Sequence, residues 1–255
     1  MSIQQAALDL SKLSPTEKRK LIKALEKREE LSMTGGHLFR YFPNEGPLRW
    51  EKYPKHIDFF KSGKFFRERL FMAGNRVGKS VAGGYETACH ATGDYPDWWE
   101  GRVFDVPTDG WVAGDTGQTT RDIIQRELVG PPGQEGTGLI AKDRILSLKA
   151  RPGIPNAVDS MEVRHKSGGI SRIGFKSYDQ KRRSFQGTAK HYVWMDEEPP
   201  AEVYGESIIR TMTTNGLIYV TATPLQGLTE FIQDFMDDSV SETETDKELT
   251  EEDAL

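Results

Sequence analysis

Ala73-Gly74-Asn75-Arg76-Val77-Gly78-Lys79-Ser80 departs at one position from G-x-x-x-x-G-K-[ST], the pattern in which backbone N–H groups curl around the phosphates of a nucleotide. The spacing follows from the chemistry. Glycines let the backbone approach the β-phosphate, the lysine ammonium reaches the β/γ oxygens, and the adjacent hydroxyl can hold Mg²⁺. Gly78, Lys79 and Ser80 supply three of these roles, and Ala73 stands where the first glycine belongs. Such a loop has to follow a buried strand and open a helix. Upstream, Arg69-Leu70-Phe71-Met72-Ala73 predicts a short apolar strand; downstream, Val81 to Ala88 predicts a helix starting at the loop. Gly83 and Gly84 each lower its helix propensity by about 1 kcal/mol relative to alanine. A glycine-rich strand-to-helix turn that binds nothing is the alternative reading of the octet alone.

A second element decides between them. His191-Tyr192-Val193-Trp194-Met195 predicts a buried strand that ends in Asp196-Glu197-Glu198-Pro199-Pro200, and the carboxyl end of a strand is where open α/β sheets bind ligands. In P-loop ATPases an Asp there steadies Mg²⁺ with the loop hydroxyl as co-ligand, and a neighbouring acid orients and deprotonates the attacking water. We therefore assign Ser80 and Asp196 to the metal and Glu197 to the water. Glu198 is the alternative base, set aside because successive side chains of an extended strand end point to opposite sides. The paired elements predict ATP and Mg²⁺ as ligands. A lone acidic turn capping the helix after Pro199 is the bland alternative.

The rest of the chain predicts one large α/β domain with an appendage. Further strands are expected at 110–115, 145–149 and 217–222, a hairpin at 160–165 and 171–176, and helices at 118–128 and 202–212. Gly- and Pro-rich stretches around 129–156 predict surface loops about the short strand at 145–149. Ser14-Pro15-Thr16-Glu17 predicts a capped helix running to about Glu30, basic outside a narrow apolar stripe. The aromatic-rich connector 37–66 includes Tyr53 to Phe60, the best candidate there to contact an adenine ring, with core packing as the safer reading for any single aromatic. Expected domains are a helical segment at 1–36, an ATPase domain at 37–236 and an acidic, disordered tail at 237–255.

Charge is unevenly spread. The net charge of −5 conceals a tail, Asp237 to Leu255, with nine acids and one lysine, and a stretch from Lys142 to Lys190 with twelve Lys/Arg against four Asp/Glu. The latter is the footprint of a phosphate-backbone partner or, alternatively, a solvated face. No apolar run of about eighteen residues and no signal-peptide layout appear, so the chain is expected to be soluble and intracellular. The single cysteine, Cys89, excludes an internal disulfide and reads as a small buried apolar residue.

With both elements placed, the sequence resembles the ATPase domain of the large terminase subunit of tailed bacteriophages, the motor that drives viral DNA into the capsid. The likeness is carried by Phe71 to Ser80 as the family's deviant phosphate loop, by Phe185-Gln186-Gly187-Thr188-Ala189 leading into Val193 to Pro199, and by Thr221-Ala222-Thr223-Pro224 as its coupling motif. The resemblance implies a P-loop NTPase of the ASCE class, a mainly parallel sheet flanked by helices with an additional strand between the loop strand and the acidic strand. It implies that residues 73–80, with Thr221 and Thr223, surround ATP, and that the two threonines sense the γ-phosphate. The implied partners are double-stranded DNA, the procapsid portal, the small terminase subunit and further copies in a ring, in the host cytoplasm and transiently at the portal vertex.

Two departures qualify it. Gln186 stands where some members carry a trans-acting arginine, which leaves Arg182, Arg183 and Arg76 as candidate fingers. The nuclease domain of full-length members does not fit in the residues after the coupling motif, so no nuclease activity is expected. A helicase-like remodelling ATPase and a nucleotide-dependent assembly switch remain the competing functions.

Overall fold

The computed structural model describes residues 38–224 and 227–236, with positions 14, 16 and 18–20. The expected tail, and most of the expected N-terminal helix, lie outside the described residues. Among them, seven strands make one sheet: β1 (Glu68–Met72), β2 (Asp109–Gly114), β3 (Ile145–Ala150), β4 (Val158–Arg164), β5 (Ile170–Ser177), β6 (Tyr192–Asp196) and β7 (Leu217–Ala222). Their spatial order is β1-β7-β6-β2-β5-β4-β3. The pairings along β1-β7-β6-β2-β5 are parallel, whereas β4 pairs antiparallel with β5 and with β3. The central strands β6 and β7 are buried on both faces, which is why they read as continuous apolar runs.

The period of two divides these strands between two cores. Tyr192, Trp194, Leu217, Tyr219 and Val112 enter one cluster, and Val193, Met195, Ile218, Val220 and Trp111 enter the other. Helices α1 (Pro54–Ser62) and α2 (Lys79–Thr92) supply Phe59, Phe60, Tyr85 and Ala88 to the first. A third helical stretch, α3, spans 117–129, with α-helical turns Gly117–Thr119 and Arg126–Val129 around a π-helical segment Thr120–Gln125. It adds Ile124, Leu128 and Val129 to the same core. Helix α4 (Ala201–Met212) covers the opposite face through Val203.

Two sequence expectations change here. The stretch 145–149 is not an isolated strand among loops: β3 extends a three-stranded antiparallel wing, because Leu148, Met161, Val163, Ile173 and Phe175 alternate into the first core. The stretch from Arg69 is not wholly apolar either. Arg69 is buried and donates to Glu86 of α2 (2.6 and 3.2 Å) and to Phe59 O of α1 (2.7 Å), locking the strand before the phosphate loop to the helix after it. One-sided loss of such a buried pair costs about 3–5 kcal/mol.

The first of the two helix glycines also finds a reason. A Cβ at Gly83 would lie 2.2 Å from Trp194 Nε1, so α2 approaches β6 more closely than any side chain permits. We predict that Gly83→Ala destabilises the fold by about 1–3 kcal/mol through overpacking, despite alanine's higher helix propensity. Chemical denaturation checks it; a stabilised variant would contradict the packing.

Candidate functional site

Strand β7 lies between β1 and β6, so the phosphate loop, the acidic strand end and the threonine motif open at one edge of the sheet. The loop leaves β1, with Ala73 N–H donating to Ala222 O (3.3 Å). Arg76 adopts φ 62° and Gly78 φ 87°, left-handed turns that curl the chain before α2 begins at Lys79. The Lys79 ammonium folds back onto Gly74 O (2.7 Å), one of the loop's own carbonyls.

The side chains at this edge form two connected sets. Asp196 Oδ1 accepts from Ser80 Oγ (2.8 Å) and Thr221 Oγ1 (2.7 Å), and Thr221 in turn accepts from Trp194 Nε1 (2.9 Å). Glu197 Oε2 accepts from Thr223 N–H (3.0 Å), whose hydroxyl donates to Asn75 Oδ1 (3.1 Å). The first set joins α2, β6 and β7. The second joins the loop to both strand ends. Glu197 is not extended as expected: its φ of 68° turns the chain, so strand alternation does not apply to it and Glu198.

Burial pushes Asp196 up to about 6, with the Glu197 carboxylate adding; the Thr221 and Ser80 hydroxyls and the Lys79 charge oppose it. Its ionised form is therefore destabilised as the fold stands. Hard oxygen donors of one carboxylate and one hydroxyl fit Mg²⁺, which takes few protein ligands and completes its shell with phosphate oxygens and water. No cluster of three or more metal-ligating His, Cys, Asp or Glu occurs among the described residues.

Beside the loop a cavity of about 130 Å³ is lined by Tyr41, Phe42, Leu48, Tyr53, His56, Val77, Gly78 and Val81. Tyr53 and His56 belong to the stretch expected near adenine; Tyr41, Phe42 and Leu48 join them from outside it, because nothing local marks which connector residues fold back. Burial lowers His56 below the usual histidine range, against its hydrogen bonding to the backbone at Gly78 and Val77, so it lines the cavity as a neutral ring at neutral pH. Of the candidate fingers, Arg76 lies within the loop itself. Arg182 pairs with buried Glu206 of α4 (2.9 Å), while Arg183 and Arg76 are exposed.

Strand order and loop geometry define a P-loop NTPase of the ASCE class, with one strand inserted between the loop strand and the acidic strand. The family described as terminase large subunit, T4likevirus-type, N-terminal, matches residues 70–255. The large terminase subunit of Salmonella phage P22 is 36% identical over 247 residues, covering 89% of this chain and 48% of that protein. The chain belongs to the terminase large subunit family and spans about half the length of that curated relative. Among solved structures, the large terminase ATPase domain of Thermus phage P74-26 aligns with a TM-score of 0.45 at 17% identity, over 69% of this chain and 69% of that one. The large terminase of bacteriophage HK97 aligns with a TM-score of 0.48 at 12% identity, over 79% of this chain and 38% of that one. No helix among the described residues is long and apolar enough to cross a membrane.

The Asp196 shift carries a stability prediction. A carboxyl whose folded value lies near 6 against 3.8 unfolded contributes most below pH 3.8, and that contribution is lost as pH rises through 6. Asp196→Asn should therefore raise unfolding stability at pH 7 by roughly 1–3 kcal/mol, with the gain fading near pH 4. Melting curves at the two pH values check it. An equal effect at both would contradict the assigned cause.

Proposed function

We propose that the chain is the ATPase motor domain of a DNA-packaging terminase, coupling ATP hydrolysis to movement of double-stranded DNA into a procapsid. The observation that carries this reading is the joint placement of Lys79, Ser80, Asp196, Glu197, Thr221 and Thr223 at one sheet edge, where hydrogen bonds join Ser80 and Thr221 to Asp196 and Thr223 to Glu197. The backbone N–H groups of residues 73–80 would cradle the phosphates, and the cavity lined by Tyr53, His56 and Val81 would take the adenine. Lys79 would exchange Gly74 O for a β/γ oxygen. Ser80 and Asp196 would hold Mg²⁺, which when bound neutralises charge on the β- and γ-phosphates.

Glu197 would orient the attacking water and accept its proton. Thr223 touches that glutamate through its N–H and the loop through Asn75, and would register loss of the γ-phosphate there; Thr221, bonded to Asp196, would do so through the metal ligand. Arg76 and Arg183, both exposed, would be the finger candidates, within one subunit or across neighbours of a ring. Arg182 would first have to leave Glu206. The expected partners are double-stranded DNA, the portal, the small terminase subunit and further copies of the chain.

The DNA reading draws on the wing. Four members of the basic stretch are matched by acids: Arg144 by Asp94, Arg172 by Glu162, Arg182 by Glu206 and Lys190 by Asp109. The strand registers bring Lys149, Arg172 and Lys176 to the wing face away from the apolar core, beside Ser160 and Gly174. Lys149 stands level with Gly174, roughly 10 Å away across two strand spacings, and Arg172 and Lys176 flank that glycine roughly 13 Å apart along β5. Lys181 and Arg183, a few residues beyond β5, are exposed.

Two experiments test the proposal. Glu197→Gln should retain ATP binding while turnover falls by about 10²–10⁴-fold; unchanged turnover would contradict the base, and stimulation by single-stranded DNA with strand separation, rather than by procapsid, would favour a helicase. Replacing Lys149, Arg172 and Lys176 by alanine should weaken duplex binding and flatten its salt dependence by roughly two to three in log–log slope. An unaltered slope would make the wing a solvated face.

A further inference from the structure

Glu197 holds a backbone conformation that side-chain-bearing residues seldom adopt, with φ 68°. Such a turn persists only where the surroundings over-determine it. Three hydrogen bonds do so. The Glu197 N–H donates to Thr221 O (2.8 Å), and its Oε2 accepts from Thr223 N–H (3.0 Å), both from the β7 side. The third comes from the end of β5: the Tyr178 hydroxyl donates to Glu197 O (3.0 Å) and also reaches Asp196 O (3.2 Å).

Tyr178 is itself tightly placed. It is 6% exposed, in the core cluster that also holds Trp111, Phe185, Val193 and Met195. The backbone around it is pinned by Ser177 N–H to the Gln180 side chain (3.2 Å), Arg151 to Ser177 Oγ (2.9 Å) and Asp179 N–H to Asp115 O (3.2 Å). Burial, with the Asp196, Glu197 and Asp115 charges adding, pushes the phenol well above the usual tyrosine range, so the hydroxyl remains a donor. Both of the carbonyls it reaches belong to the acidic turn.

We infer that Tyr178 is a positioning residue: its hydroxyl fixes the Asp196-Glu197 turn so that the Glu197 carboxylate is aimed at the attacking water, without touching nucleotide itself. Ser80 holds Asp196 from α2, but the two supports of Glu197 itself both come from the β7 side and leave that residue able to pivot about the strand. A donor on the β5 side removes the pivot. Because Tyr178 directly follows β5, the inner strand of the antiparallel wing, a displacement of the wing would reach the base through one buried hydroxyl. The inference rests on the reading of Glu197 as the base.

Tyr178→Phe keeps the ring and removes the hydroxyl alone. ATP turnover of the full chain, with kcat and KM separated, is measured for it, for Glu197→Gln and for the double variant, alongside binding of a slowly hydrolysed ATP analogue and thermal melting. We expect kcat to fall about tenfold to a hundredfold, with KM and analogue affinity unchanged. In the Glu197→Gln background the same substitution should change nothing, because no base remains to be aimed. Unchanged kcat in Tyr178→Phe, an equal loss in both backgrounds, a parallel loss of nucleotide affinity or a lost melting transition would each overturn the inference. Undiminished turnover of Glu197→Gln overturns the proposed base instead, and is read from a different variant.

Discussion

The arrangement depends on a buried carboxylate. Asp196 is held on Oδ1 by two hydroxyls, Ser80 from the start of α2 and Thr221 from β7, so one oxygen joins three elements that are 25 to 141 residues apart in the chain. Its burial makes the negative charge costly, and the neighbouring Glu197 makes it costlier. A fold that retains such a group forgoes stability at neutral pH, the trade expected where charge is reserved for a ligand. The insertion of β7 between β1 and β6 is what makes the geometry possible. It spaces the phosphate loop from the acidic strand and fills the gap with a threonine whose hydroxyl meets both Asp196 and Trp194.

Around that point the sheet divides its labour by face and by edge. One face buries α1, α2 and α3, and carries the Arg69–Glu86 pair that ties the loop's strand to the loop's helix. The other is covered by α4 over β6 and β7, but its antiparallel wing presents Lys149, Arg172 and Lys176 instead of an apolar surface. The strand β5 that borders the wing ends beside the nucleotide edge, where Tyr178 meets the acidic turn. The candidate site and the basic face are thus parts of one continuous sheet, the path along which the proposed hydrolysis would act on the proposed phosphate-backbone partner.

Much of this was legible from residue order. Leu217 to Ala222 is an apolar run bounded by Asn215-Gly216 and Thr223-Pro224, and its strand has the expected bounds. Lys79 and Ser80 open a helix where the loop pattern requires one. The rest depends on tertiary facts that local patterns do not encode. The left-handed turn at Glu197 is held by bonds from two other strand ends, so no propensity announces it. Tyr178 looks like one more apolar residue at the end of a strand until its hydroxyl is seen to face two carbonyls. The charge excess from Lys142 to Lys190 is partly cancelled by Asp94, Asp109 and Glu206, which lie outside that stretch. Of the glycines that count against a helix, Gly83 is there because α2 lies against Trp194, and Gly84 faces Glu127 and Leu139 at 3.0 and 3.1 Å from where a Cβ would sit.

Everything proposed for the nucleotide edge turns on Ser80 and Asp196 as the metal corner of a site built on residues 73–80. A crystal structure of the chain with a slowly hydrolysed ATP analogue and Mn²⁺, using the manganese anomalous signal, tests that assignment most directly. The expected result is an anomalous peak within coordination distance of Ser80 Oγ and an Asp196 carboxylate oxygen, with Lys79 moved from Gly74 O to a phosphate oxygen. A peak elsewhere, or phosphates bound away from the loop, would contradict it.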